Sequence, residues 1–184
     1  MDNLAVKSVQ DAINLGIYVV AAAGNDGGIN DDGRVSVPAN VPGVISVGAL
    51  NPDGSLWEKS SRGDNLAGNG ENPRESPNKK PEITAPGVNV VSTWIDGKFS
   101  SSTGTSDSTV FVTGALALAL ESNSQLKPTW DNTDRSNCIQ VVKKALMDSA
   151  NPFEAQAIPH DDRYGYGALN TIGLIELLGN VEDC

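Results

Sequence analysis

The stretch from Ser100 to Leu120, SSSTGTSDSTVFVTGALALAL, constrains this chain more than any other. Its first part is small and hydroxyl-rich, and its second part is a run of Gly, Ala, Val and Leu. That pairing predicts a loop turning sharply into a buried helix, from about Asp107 to Ser122. Gly104 supplies backbone freedom at the turn. Ser106 then falls at the helix N-terminus, where unpaired N–H groups point outward and favour negative charge. A serine hydroxyl there is well placed to attack a carbonyl carbon, because the emerging oxyanion meets those N–H groups. The plainer alternative is that Ser106 or Ser108 only caps the helix.

Around this stretch, helical and strand-like segments alternate. Leu4 to Leu15 has helical apolar spacing and ends at Gly16. Ile17 to Ala23 is an unbroken apolar run, which suits a parallel strand covered on both faces. It stops at Gly24-Asn25-Asp26-Gly27-Gly28. Ligands bind at the carboxyl ends of strands in open parallel sheets, and Asn25 sits at such an end; a turn-forming asparagine is the alternative. Val44 to Ala49 reads as a second buried strand. Val88 to Val91 reads as a further strand after an Ala85-Pro86-Gly87 turn, and Trp94 to Phe99 as a hairpin with Asp96-Gly97 at its tip. Cys138 to Ser149 and Ile172 to Leu178 read as helices, the last capped by Asn170 or Thr171. Residues 63–80 read as an exposed loop insertion. The pattern is α/β with a mostly parallel sheet, and residues 1–184 read as a single domain.

Composition narrows the function classes. A chain of 184 residues, 39% hydrophobic, is long enough for one packed core. A net charge of -10 argues against nucleic acid and anionic membrane surfaces as partners. No stretch approaches the ~18 apolar residues of a membrane span, and Met1-Asp2-Asn3 begins no signal peptide. Cys138 and Cys184 allow one disulfide or two free thiols, without C-x-x-C metal spacing. Asp26, Asp31 and Asp32 near Asn30 suggest a calcium-binding loop, but the run lacks EF-hand spacing and a solvated acidic loop is favoured. His160, the single histidine, lies in Ile158-Pro159-His160-Asp161-Asp162 and reads as a solvated imidazole beside carboxylates.

Five blocks carry a family resemblance. Val19 to Asn25, Val37-Pro38-Ala39 through Pro42 to Ala49, Lys80 to Gly87, Gly104-Thr105-Ser106 with its helix, and Tyr166 to Asn170 occur in one order across nearly the whole chain. In that order they resemble the C-terminal half of the catalytic domain of the subtilisin-like serine proteases, the subtilases. The resemblance implies a three-layer α/β fold with helices on both faces of the sheet, present as its C-terminal part. It implies a serine endopeptidase acting on polypeptides, with Ser106 as the acylated nucleophile and Asn25 offering its amide to the oxyanion. Ala22, Ala23, Gly24 and Thr105 would contact substrate. No cofactor is implied; calcium is allowed as a structural ion, and the resemblance is compatible with secretion.

The resemblance also implies what this stretch lacks. A serine nucleophile needs a base, and the base needs an orienting group. The family order is Asp, His, Ser, with both partners before the oxyanion Asn, yet no histidine precedes Asn25. His160 follows Ser106 and is out of that order as a base. Asp and His are therefore expected from upstream sequence or a second chain, and this chain alone is expected to be inactive. The alternative is an inactive subtilase-like module that binds peptide or a protein partner. A sheet missing its neighbours also exposes an edge through which copies of the chain could pair. After the nucleophile, the usual Met, two small residues, Pro and His give way to Asp107, Ser108, Thr109, Val110 and Phe111. Asp107 puts a carboxylate beside the oxyanion position, where it opposes the developing charge unless it points away.

Overall fold

The computed structural model describes residues 4–28, 33–63, 73–129, 133–182 and 184. Helix α1 spans Leu4–Asn14 and buries Ile13. Three strands follow, β1 (Val20–Ala22), β2 (Ile45–Leu50) and β3 (Ile83–Pro86). They form one parallel sheet in sequence order. The register runs Val20↔Ile45 through Ala22↔Val47, then Val47↔Ile83 through Leu50↔Pro86. Strand β2 is central and buried throughout, as expected for a parallel strand with both faces covered. The third parallel strand is therefore Ile83–Pro86, where the sequence suggested a turn. Val90–Thr93 (β4) instead pairs antiparallel with Phe99–Ser102 (β5) in a separate two-stranded hairpin. Its tip at Ile95–Gly97 is where the sequence put it.

Helix α2 spans Thr105–Ser122 and begins two residues earlier than its apolar run suggested. Helices α3 (Ser136–Ser149) and α4 (Thr171–Gly179) complete the order, and the Asn170 side chain caps α4 by accepting from the Gly173 N–H at 3.0 Å. Residues alternate across a strand, and the two cores sort accordingly. Ile45, Val47, Ile83 and Ala85 face Val112, Ala115, Leu116 and Ala119 of α2, with Val142, Leu146, Leu174 and Leu178 behind them. Ala21 and Ala23 point the other way, to Ile13 of α1 and to Val35, Ala39 and Val41. Helices thus cover both faces, as the three-layer expectation required.

The two edges of the sheet differ. Beside β3, the Thr84 N–H donates to Gly167 O at 2.9 Å and the Leu169 N–H donates to Thr84 O at 2.8 Å. Among the described residues β1 pairs only with β2. Cys138 of α3 and Cys184 form a disulfide, which ties the C-terminus to the helical layer. Residues 64–72 of the stretch read as an exposed loop lie outside the described residues. Its end contradicts that reading: Arg74 and Lys80 are buried, and Lys80 enters a charged cluster beneath the sheet.

Candidate active site

Helix α2 reaches the sheet through a gap that only glycine leaves. A Cβ on Gly87, just after β3, would lie 2.2 Å from Ser108 Oγ and 2.8 Å from Gly104 O. Without one, the first turn of α2 settles onto the carboxyl end of β3: the Gly104 N–H donates to Gly87 O at 2.8 Å, and the buried Ser108 Oγ donates to Ala85 O at 3.0 Å. Ser108 is thus a packing residue rather than a cap. Ser106 is exposed and caps nothing, since the N-cap position is Gly104.

The tip of β1 meets that same turn. Gly24 has φ +119°, and a Cβ there would lie 2.7 Å from Ser61 Oγ, so glycine is what lets the chain leave the strand. Asn25 follows. Its Oδ1 accepts from the Thr105 N–H at 3.0 Å and from Thr105 Oγ1 at 2.9 Å, while Thr105 Oγ1 accepts from the Gly24 N–H at 3.2 Å. An N–H can only donate, so these bonds fix the amide with Nδ2 on the outer side. Asn25 therefore satisfies one unpaired N–H of α2 and keeps its own donor free. The Ser106 N–H has no partner among the described residues. The point where a Cβ on Gly104 would sit is 3.2 Å from Asn25 Nδ2 and 3.7 Å from Ser106 N. Both donors therefore lie within 4 Å of one point on the outer side of Gly104.

Other expected site residues fall differently. Ala22 and Gly24 are partly exposed, but Ala23 is fully buried beneath β1 and presents no surface to a ligand. Thr105 is 1% exposed, and both its N–H and its hydroxyl donate to Asn25 Oδ1. Asp107 is engaged by the hairpin: its Oδ1 accepts from Ser102 Oγ at the end of β5. The sequence offered no signal for Ser102, whose place depends on the hairpin register. His160 contradicts the solvated reading. It is buried against Tyr166, with ring centroids 4.8 Å apart, and its Nε2 lies 2.9 Å from Pro81 O. Burial lowers its pKa. Of the suggested calcium ligands, Asn30, Asp31 and Asp32 lie outside the described residues, and Asp26 is exposed. Among the described residues, no group of three or more His, Cys, Asp or Glu is arranged to hold a metal ion.

Residues 1–167 match the Subtilase family, Peptidase_S8. The chain belongs to the subtilase family. Subtilisin E of Bacillus subtilis (strain 168) is 37% identical over 146 residues, covering 79% of this chain and 33% of that protein. Subtilisin Savinase of Lederbergia lenta is 34% identical over 140 residues, covering 76% of this chain and 44% of that protein. This subtilase chain thus spans a third to under a half of the length of the subtilisins it matches. Among solved structures, the prenylagaramide maturation protease PagA superposes with TM-score 0.67 at 30% identity, over 97% of this chain and 55% of that one. The self-cleaved protease domain of PatA gives TM-score 0.68 at 28% identity, over 97% and 56%. The subtilase fold inferred from the five sequence blocks is the fold observed.

Proposed function

We propose that this subtilase chain is the nucleophile- and oxyanion-bearing part of a serine endopeptidase. The Ser106 hydroxyl oxygen bonds to the carbonyl carbon of a peptide, and the carbonyl oxygen takes up negative charge in the spot bordered by Asn25 Nδ2 and the Ser106 N–H. A histidine base, oriented by an aspartate, takes the serine proton and passes it to the leaving amine as the C–N bond breaks. Water then releases the acyl group by the same steps. Ala22 and Gly24 form the wall beside the residue before the scissile bond; Thr105 holds Asn25 in place. The base and its aspartate come from sequence that precedes Met1 or from another chain. Calcium, allowed as a structural ion, enters no step.

The clasp between Asn25 and Thr105 carries this reading, because it fixes a spare amide donor next to an exposed serine on a helix N-terminus. Helix α2 supports the missing half as the partner. Val110 and Leu118 are 70% and 58% exposed, and they share one side with Phe111, Gly114 and Ala117. A helix apolar on all sides belongs in an interior, and the β1 edge beside it invites a further strand.

A fluorophosphonate probe tests the proposal. With the upstream half present, Ser106 becomes labelled, and Ser106→Ala abolishes labelling. The chain alone labels at a small fraction of that rate, since a serine without its base keeps only residual catalysis. No label with both halves assembled would remove the enzyme and leave a peptide-binding module.

A further inference from the structure

We infer that Asp107 makes the leaving-group side of the cleft select a lysine or arginine as the first residue after the scissile bond. This rests on the acyl-transfer role given above to Ser106. Successive residues of a helix are about 100° apart around the axis, so Thr105 and Asp107 flank Ser106 on opposite sides. The Thr105 flank is tied to the end of β1 by the Gly24 and Asn25 bonds. The Asp107 flank is tied to the end of β5 by Ser102. The carbonyl oxygen of a bound peptide points to Asn25 Nδ2 and the Ser106 N–H, and its acyl side lies over Ala22 and Gly24. The leaving amine and the residue that bears it depart on the remaining side, which is the Asp107 flank.

The carboxylate there is held and unneutralised. Its Oδ1 accepts from Ser102, while no lysine or arginine among the described residues pairs with it. Asp107 is partly exposed and Ser102 is exposed, so a substrate side chain can reach the carboxylate. A cationic side chain gains Coulomb attraction at this position and an anionic one meets repulsion. Partial exposure keeps the effect modest, of the size of a single screened pair. The competing role is purely local, with Asp107 serving only to fasten the hairpin to α2 through Ser102. Asp107→Asn separates the two, because the asparagine carbonyl still accepts from Ser102 but carries no charge.

The test uses this chain assembled with the half that precedes it. Peptides share one acyl side and carry Lys, Leu or Glu immediately after the scissile bond. The expected ratio of kcat/KM for Lys over Glu is roughly tenfold at low salt. It shrinks toward unity at about 1 M salt, where screening acts within ~3 Å. Asp107→Asn abolishes the ratio and Asp107→Lys inverts it. A ratio near one in the unmodified enzyme, or one that survives both high salt and Asp107→Asn, would overturn the inference. Fluorophosphonate labelling of Ser106 in the same preparation involves no amino-acid leaving group. Labelling with a flat ratio sinks this inference alone; failure to label sinks the acyl-transfer reading and this inference with it.

Discussion

A hydrogen-bond donor helps at a reacting carbonyl only if it is held in place before charge develops, since reorienting it during the reaction costs what it would gain. Asn25 meets that condition because its oxygen is committed twice to Thr105, at 3.0 and 2.9 Å. Gly104 is the second requirement, since a Cβ there would press on Asn25 Nδ2 at 3.2 Å and come within 3.7 Å of Ser106 N. With both halves present, Asn25→Ala should slow fluorophosphonate labelling of Ser106 by roughly 10²–10³. Gly104→Ala should slow it by up to roughly 10², because displacement of a positioned group by about 1 Å is costly. An unchanged rate in Gly104→Ala would mean the oxyanion sits elsewhere. The conjunction of Asn25 and Ser106 was legible in the sequence because each occupies a marked local position, a strand end and a helix start. The direction of Asp107 and the burial of His160 were not legible. His160 is set by Pro81, which is distant in sequence; Asp107 is set by Ser102, near in sequence but placed by the register of β5 against β4.

At the scale of elements, α2 has two faces of similar chemistry and different fates. Leu116 is 3% exposed against β2 and β3, while Leu118, two residues on, is 58% exposed. Leu116→Ala should destabilise the isolated chain by about 2–5 kcal/mol in a denaturant titration, the range for emptying a packed leucine site. Leu118→Ser should change that stability by no more than about 0.5 kcal/mol, yet weaken association with the upstream half, read by co-purification of the two parts. Equal effects of the two substitutions on stability would mean that Leu118 already has a partner within this chain. The sequence pattern announced α2 plainly, as it did α1 and β2, because a long apolar run or a clean period admits few alternatives. It hid β3: Ile83-Thr84-Ala85-Pro86 is short and ends in proline, so turn chemistry outweighed strand chemistry until β2 supplied a pairing partner. The lysines beneath the sheet were hidden for a similar reason, since a polar loop composition predicts solvent and only the fold buries Lys80.

Across the whole molecule, the parallel sheet separates two kinds of chemistry. Its carboxyl ends hold Asn25 and the start of α2, and its amino ends hold a buried cluster that joins α3 to the sheet. Lys80 Nζ and Lys143 Nζ both donate to Glu82 Oε1, at 2.7 and 2.6 Å, and both reach Val44 O; Lys143 also donates to Asn78 Oδ1 at 2.7 Å. Glu82 Oε2 accepts from the Ser46 N–H at 2.8 Å. Two ammonium groups thus share one carboxylate with little access to water, and the positive charge of Arg74 adds to the imbalance. Burial brings the Lys80 pKa down to about 7, against the pull of Glu82, and lowers that of Lys143 as well. The unfolded chain holds its lysine protons to about 10.5. Between about pH 7 and that value the unfolded state binds more protons than the folded one, so the free energy of unfolding rises with pH. His160, also lowered by burial, adds the same sign at mildly acidic pH. The buried hydroxyls of Tyr18, pushed up to about 12, and Tyr166, also raised, reverse the sign once free tyrosines ionise near pH 10. Urea midpoints of this chain should therefore climb from pH 6 to about pH 9.5 and fall beyond it. Lys80→Met leaves one ammonium to one carboxylate and removes a lysine whose pKa burial has lowered, so it should flatten the climb. A midpoint that falls between pH 7 and 9.5, or a climb that persists unchanged in Lys80→Met, would show that the cluster is not what sets the pH response.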